Sequence, residues 1–482
     1  MKKIASKMFN YSKESVMPKN LLNYLLACSV LLLTACGTEE GYVREDLKDR
    51  PQVSEVQFVN LIPDSPELLV TIGDTTATIE YGQASATGQI SIDEYELNAS
   101  YFDADGEQVF IVQNESAQLL DQDQLVYIFS GSLASPNLEL RKFLEPQYDD
   151  NPITTGNVEV WFTSGVSDPT TLDVYLTGPT TDLATVTPDT DLVTSGVSEI
   201  IARENLPSYR LRATPLNSTE VVFDSGEFVL ADRSRTLFAF NEYFGPTVPG
   251  NTFPNVDAIA ISSFGSVRFA NSGLPSQLRA INLTSDVPQF DLYFGSTTNA
   301  PFAADVDRLE IGSYGDIDSG ANGLNLTLPG IKDQFLLQQD TIINSGTFYS
   351  LVISGSITDG TLSTVLFVND SRQIGQRVTV NFINTALINS STNVYFLNPG
   401  QLIADASPQI TNAATNTFNT FTARPATVDL VITSALNGSV LYGPERTTLS
   451  GGITYSFILV EDMIGEATTT EIVILDDANS TN

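Results

Sequence analysis

Two stretches of this chain say nearly the same thing. Asn60–Gly73 reads NLIPDSPELLVTIG and Asn282–Gly295 reads NLTSDVPQFDLYFG, aligned without a gap and sharing Asn, Leu, Asp, Pro and Gly at the same places. Looser copies begin at Asn157 (NVEVWFTSGVSDPTTLDVYLTG) and Arg377 (RVTVNFINTALINSSTNVYFLN). With Leu69, Asp173, Asp291 and Asn393 taken as equivalent, the copies lie 104, 118 and 102 residues apart. A period of that length is a whole domain, too long for a solenoid unit.

Each copy also closes alike, with LVYIFSGS at Leu125, TLFAFNEY at Thr236, FYSLVISGS at Phe348 and YSFILVED at Tyr455. The apolar runs between are four to eight residues long, rich in β-branched and aromatic side chains, and punctuated by Gly, Asn, Asp, Ser and Pro. ELNASYFDADGEQVF (Glu96–Phe110) reads as a hairpin with Asp105–Gly106 in its turn. No long stretch keeps a helical period. The expectation is an all-β chain of four tandem immunoglobulin-like antiparallel β-sandwich domains, over residues 53–148, 155–274, 276–371 and 376–478. The junctions at 149–155, 272–276 and 370–375 are expected to be exposed, and the Thr/Asn/Ser-rich stretches Thr180–Asn205 and Ile403–Asn419 to be long loops. VDAIAIS (Val256–Ser262) and SVRFAN (Ser266–Asn271) compete to be the last strand of the second module. A single outer-membrane barrel would need evenly spaced, lipid-facing strands of about ten residues, which the domain-length repeat opposes.

The repeated stretch itself is expected to be a first strand, a turn and the start of a second strand. Asp64 and Asp286, each two residues before a proline, suit a turn closed by the side chain.

The start of the chain carries an address. Five lysines (Lys2, Lys3, Lys7, Lys13, Lys19) precede an apolar run, Leu21–Leu33, that ends in LTAC at Leu33–Cys36. This resembles a bacterial lipoprotein signal covering residues 1–35, cleaved before Cys36, whose thiol then carries diacylglycerol. The run is too short for the roughly 20 residues that span a bilayer. Acyl chains on Cys36, palmitate among them, anchor far better than a single chain. Gly37 stands where an aspartate would favour retention in the inner membrane, so the outer membrane is expected, periplasmic or surface face left open. Residues 36–52 read as a flexible tether, and Met17 offers an alternative start.

Composition limits the chemistry. There is no histidine, which excludes Ser-His-Asp and Cys-His nucleophile sites and His-ligated zinc. Of the two cysteines, Cys28 would leave with the leader and Cys36 be lipidated, so no disulfide is expected. Removing the five lysines and one glutamate of the leader would deepen the net charge from −35 to −39, which repels nucleic acid.

The openings VQFVNLIPDSP (Val56–Pro66) and LRAINLTSDVPQFDLYFG (Leu278–Gly295) resemble the family of domains of unknown function catalogued as number 4397. Its modules open with a V-x-F-x-[NH]-x-x-P-[DG]-x-P-x-x-D-[VL]-Y pattern and occur in secreted and envelope proteins. The resemblance covers nearly the whole chain after the tether and is clearest in the first and third modules. Module one has Leu69 where the pattern has Asp, and the second and fourth modules are looser. The family implies a fold and an envelope setting, with no established activity.

Acidic clusters at Asp103–Glu107, Pro188–Asp191, Asp305–Asp307 and Gly315–Asp318 offer oxygens to calcium, but none completes an EF-hand spacing. Otherwise no cofactor is expected. Trp161, the one tryptophan, stands beside Phe162 in a strand, so one faces the core and the other a sheet face, which core packing or a covering would bury. No catalytic residue is assigned. The expected function is a non-enzymatic outer-membrane lipoprotein, structural or binding an envelope protein or glycan. The alternative is a carbohydrate-active accessory protein or a carboxylate-based glycosidase.

Overall fold

The computed structural model describes residues 52–103, 106–144, 153–247, 252–374, 377–464 and 467–476. Residues 1–51, which hold the expected leader, Cys36 and all but the last residue of the expected tether, lie outside them. The described residues are all-β, apart from two three-residue 3₁₀ turns at Leu183–Thr185 and Ile403–Asp405.

The first module sets the pattern. Its strands are β1 (Val53–Asn60), β2 (Leu68–Ile72), β3 (Thr75–Ile79), β4 (Gln83–Ala84), β5 (Gly88–Ser91), β6 (Glu94–Phe102), β7 (Gln108–Gln118), β8 (Asp123–Ser132) and β9 (Ser135–Leu144). One sheet is ordered β4-β1-β8-β9, with β5 also on β1, and the facing sheet β3-β2-β6-β7. All pairs are antiparallel except β1 and β8, which run parallel. The same order recurs in strands spanning Asn157–Phe269, Ser276–Val368 and Val378–Asp476, with one parallel pair in each. The described residues form tandem β-sandwiches.

Strand periodicity explains which runs go where. β2 buries Leu68, Val70 and Ile72 against the core while Leu69 and Thr71 are half-buried. The first and eighth strands differ, because both of their faces are covered. In β8, Tyr127 and Phe129 fill the first module's core, while Val126 and Ile128 point the other way and are equally buried. That outward face meets the second module, where Trp161, Leu237, Ala239, Ile259 and Ile261 complete a separate apolar cluster. Trp161 is 3 % exposed and Phe162 sits in the core behind it, as the alternation of the strand requires. The third and fourth modules meet in the same way, through Ile281, Leu283, Val352 and Phe367 against Ile383, Ile458, Val460 and Leu475. Continuous runs such as VYIF and FILV are thus sheet centres buried on both faces.

Three expectations change. The stretches expected as long loops contain strands, Thr190–Val193 and Ile201–Glu204 in one and Ile410–Ala414 and Thr417–Ala423 in the other. Threonine is a good strand former at a half-exposed edge, and TFNTFTA alternates half-buried and exposed along its length. Val256–Ser262 and Gly265–Phe269 are both strands, forming a hairpin at one edge of the second module. The junction at 272–276 is exposed at Ser272 and Gly273 only. Leu274 is 6 % and Ser276 0 % exposed, and Ser272 N–H donates to the Asp224 carbonyl at 2.7 Å.

The recurrent asparagine has a structural task that its motif did not reveal. Asn60 and Asn384 end the first strands of their modules, Asn282 lies two residues before the end of its own, and all three are fully buried. Each Oδ1 accepts the N–H two residues on, from Ile62, Thr284 and Ala386, at 3.0–3.1 Å. Each Nδ2 donates across the sandwich to a carbonyl of the third-strand region, Ile79, Val306 or Ala413. The second module has Ser164, which makes only the first of these bonds, to Val166 N–H. The aspartates do something else. Asp64 accepts from Leu133 N–H at 2.9 Å, and Asp286 from Ile357 N–H, Thr358 N–H and Ser356 Oγ. They tie the opening turn to the closing hairpin instead of closing their own turn. In the fourth module Glu461 makes the same tie from the other side, accepting from Ile388 and Asn389 N–H.

Candidate functional site at the seam between modules

The modules converge on a cleft of about 350 Å³. The first module supplies Tyr81 and Gly82 from the turn between β3 and β4. The second supplies Asn241, Glu242, Phe244, Asp257 and Arg268. The third supplies Gly346, Thr347, Phe348 and Asn369, and the segment leaving it supplies Asp370, Ser371 and Arg372. The fourth module reaches it through Thr454, whose hydroxyl donates to the Asp370 carbonyl at 3.0 Å.

Its two arginines are each paired with an aspartate. Arg268 Nε donates to Asp257 at 2.6 Å, and its Nη1 reaches across the seam to Thr347 Oγ1 at 3.1 Å. Arg372 grips Asp370 through Nε and Nη2, and its guanidinium lies 4.9 Å from the centre of the Tyr81 ring. That stacking contributes about 0.5–2 kcal/mol, more as the site dries. Tyr81 donates to the Glu242 carbonyl at 2.9 Å, and Ser371 Oγ donates to the Phe244 carbonyl.

Burial governs the titration here. It holds the phenolic protons of Tyr81 and Tyr243 well above the usual tyrosine range. It also raises the Asp257 carboxyl, against the pull of Arg268. Close approach of the two modules needs glycine. A Cβ on Gly245 would lie 2.2 Å from the Gly346 carbonyl, and Gly346 (φ +63°) would press its own Cβ to 3.0 Å from the Tyr243 ring.

Three buried polar atoms on the cleft wall have no hydrogen-bond partner: Asn241 Oδ1, Asn369 Oδ1 and Arg372 Nη1. A second, larger cleft of about 580 Å³ shares Arg268 and is lined also by Ser225, Phe269, Ser319 and Asn344 among others. Chemically the first cleft is a polar fastener. Its two arginines are each held by an aspartate, and burial keeps the Tyr81 phenol protonated.

The acidic clusters stay apart. Asp103 closes a turn by accepting Glu107 N–H at 2.9 Å. Asp189 is held by Arg203 and by Leu176 N–H. Asp307 N–H donates to Glu310, and Asp316 receives Gln277. Among the described residues no three Asp, Glu, Cys or His side chains gather to hold a metal ion. Cys36 lies outside the described residues.

Fold and cleft together define a protein of tandem β-sandwiches packed into one unit, Gln52–Asn482. The chain matches no family model and no curated protein. Among solved structures it is similar to the Bacillus anthracis TIE protein, at 7% identity over 85% of this chain and 69% of that one, with a TM-score of 0.16. A likeness that loose carries no argument about fold or function.

Proposed function

We propose that this protein is a lipoprotein of the outer membrane, anchored through lipid on Cys36, whose sandwiches form a non-catalytic structural or binding element of the cell envelope. The address rests on the basic leader and LTAC at Leu33–Cys36. The non-catalytic part rests on one observation, that both arginines of the cleft lined by Tyr81, Asp257 and Asp370 are each held by an aspartate. Modules of the number 4397 family, which the repeated openings resemble, would fit such a setting. Its partner is an envelope protein or a glycan, since the net charge of −35 disfavours nucleic acid.

Membrane fractionation tests the anchor. Cys36→Ser moves the protein from the membrane to the soluble fraction, and equal partition of variant and wild type would refute the assignment. A carbohydrate-active role is tested separately, by assaying the purified chain on polysaccharides. Turnover lost on replacing one of two neighbouring carboxylates would replace the present reading with that one.

A further inference from the structure

On the second module, Asp173 (strand Thr171–Thr177) stands directly opposite Asp191 on one neighbouring strand and Thr214 on the other. Cross-strand partners share a face. The flanking Leu172 and Val174 fill the core, so this row lies on the outer face of the sheet. It is nevertheless covered: Asp173 is 5 % and Thr214 1 % exposed, while Asp191 is exposed at the edge.

Among the described residues, two oxygens of the row have no hydrogen-bond donor. Asp173 Oδ2 accepts Asn217 N–H at 2.8 Å. Asp173 Oδ1 and Thr214 Oγ1 are buried without a hydrogen-bond partner. Like charges directly opposite in a sheet destabilise it, and no basic side chain intervenes. Arg212, next along the same face, turns its Nη2 to Thr177 Oγ1 and the Thr181 carbonyl, both at 2.8 Å. Burial, and beyond it the Asp191 carboxylate, raise the Asp173 carboxyl despite the Asn217 bond.

The third module shows what a satisfied version looks like. There Asp291 accepts Asp305 N–H at 2.9 Å through one oxygen and Gly330 N–H at 3.0 Å through the other. Its cross-strand partner Thr327 donates to the Leu328 carbonyl. The second module keeps one such donor, Asn217 N–H, and among the described residues has no counterpart of the Asp305 N–H.

We infer that Asp173, Asp191 and Thr214 form a binding site for a hard divalent cation, calcium before magnesium. Two carboxylates and a hydroxyl are the oxygen ligands that calcium takes, and it accepts irregular geometry with water completing the shell, whereas magnesium demands a near-ideal octahedron. The cation removes the repulsion between the aspartates and gives both orphaned oxygens a partner. With only two carboxylates, the affinity belongs to the weak range of extracellular modules, on the order of 10⁻⁴–10⁻³ M.

The test is calorimetry of the full chain at constant ionic strength and about pH 7.5, titrating calcium chloride against magnesium chloride. Wild type gives a saturable rise in Tm that is larger with calcium. Asp173→Asn and, as a variant at an exposed position, Asp191→Asn each abolish the calcium-specific part, while Asp316→Asn in the third module keeps it. Equal responses to the two ions, or a calcium rise that survives in both variants, overturns the site. So does a wild type that ignores calcium yet gains stability on acidification to about pH 5.5, which would make the pair a shared-proton contact.

Discussion

The joint between the first and second modules and the seam between the second and third differ in what fills their centres. The joint has an apolar centre, Val126, Ile128, Trp161, Leu237 and Ile259, rimmed by polar bonds from Gln57 to the Ser262 carbonyl and from Arg141 to the Val197 and Ser198 carbonyls. The joint between the third and fourth modules repeats that centre. The seam is polar, held by Arg268 to Thr347, Ser371 to Phe244 and the Arg372–Tyr81 stack. It also leaves buried oxygens of Asn241 and Asn369 unpaired. An apolar joint gains free energy in proportion to the surface it buries, roughly 25 cal/mol per Å². A polar seam exchanges bonds to water for bonds to protein, and each nets only about 0.5–1.5 kcal/mol. Four sandwiches therefore behave as two rigid pairs meeting at a weaker boundary.

Substitutions should separate the two kinds of contact. Trp161→Ala empties the apolar joint and is expected to cost about 3–5 kcal/mol, read as a fall in the denaturation midpoint with little change in slope. Asn282→Leu leaves Thr284 N–H and the Val306 carbonyl buried and unpaired, at about 1–3 kcal/mol for each group so orphaned. Asn384→Leu should behave alike, since its bonds are the same. Thr347→Val removes one bond from the seam and should cost about 1 kcal/mol or less. A seam variant as damaging as Trp161→Ala would erase the distinction.

Acid should reach the tie between turn and hairpin in the third module. Although partial burial raises the Asp286 carboxyl, hydrogen bonds from Thr358, Ile357 and Ser356 outweigh it and bring it down to about 2, from 3.8. A folded value below the unfolded one means the contribution is present above about pH 4 and is lost as pH falls toward 2. Asp286 is exposed, so solvent screening keeps the effect small. The difference in midpoint between wild type and Asp286→Asn should shrink over that interval and stay constant above it.

Much of the fold was legible because strand period and domain period are both written in the order of residues. The opening stretch is a strand, a turn and a strand, Val53–Asn60 and Leu68–Ile72, as its pattern implied. What alternation cannot reveal is what covers the second face. LVYIF has the same letters whether Val126 and Ile128 meet solvent, lipid or a neighbouring module, and only the packing decides. The seam was hidden for a related reason. Tyr81, Arg268 and Arg372 are far apart in the chain, lie on turns, an edge hairpin and a linker, and belong to no repeat. Asp173 was in view as a repeat position and Asp191 as part of an acidic cluster, but their pairing depends on a register that short Thr-rich strands do not announce.

Hydrogen exchange of the whole chain, followed by mass spectrometry, tests the two-pair architecture most directly. Exchange by local opening reports the free energy of each cooperative unit. The joint strands Asn157–Ser164 and Val378–Asn384 should be protected to the level of global unfolding. Segments 241–247, 344–348 and 369–374 at the seam should open earlier and together. Seam segments protected as strongly as the joint strands, or joint strands that open first, would contradict the account.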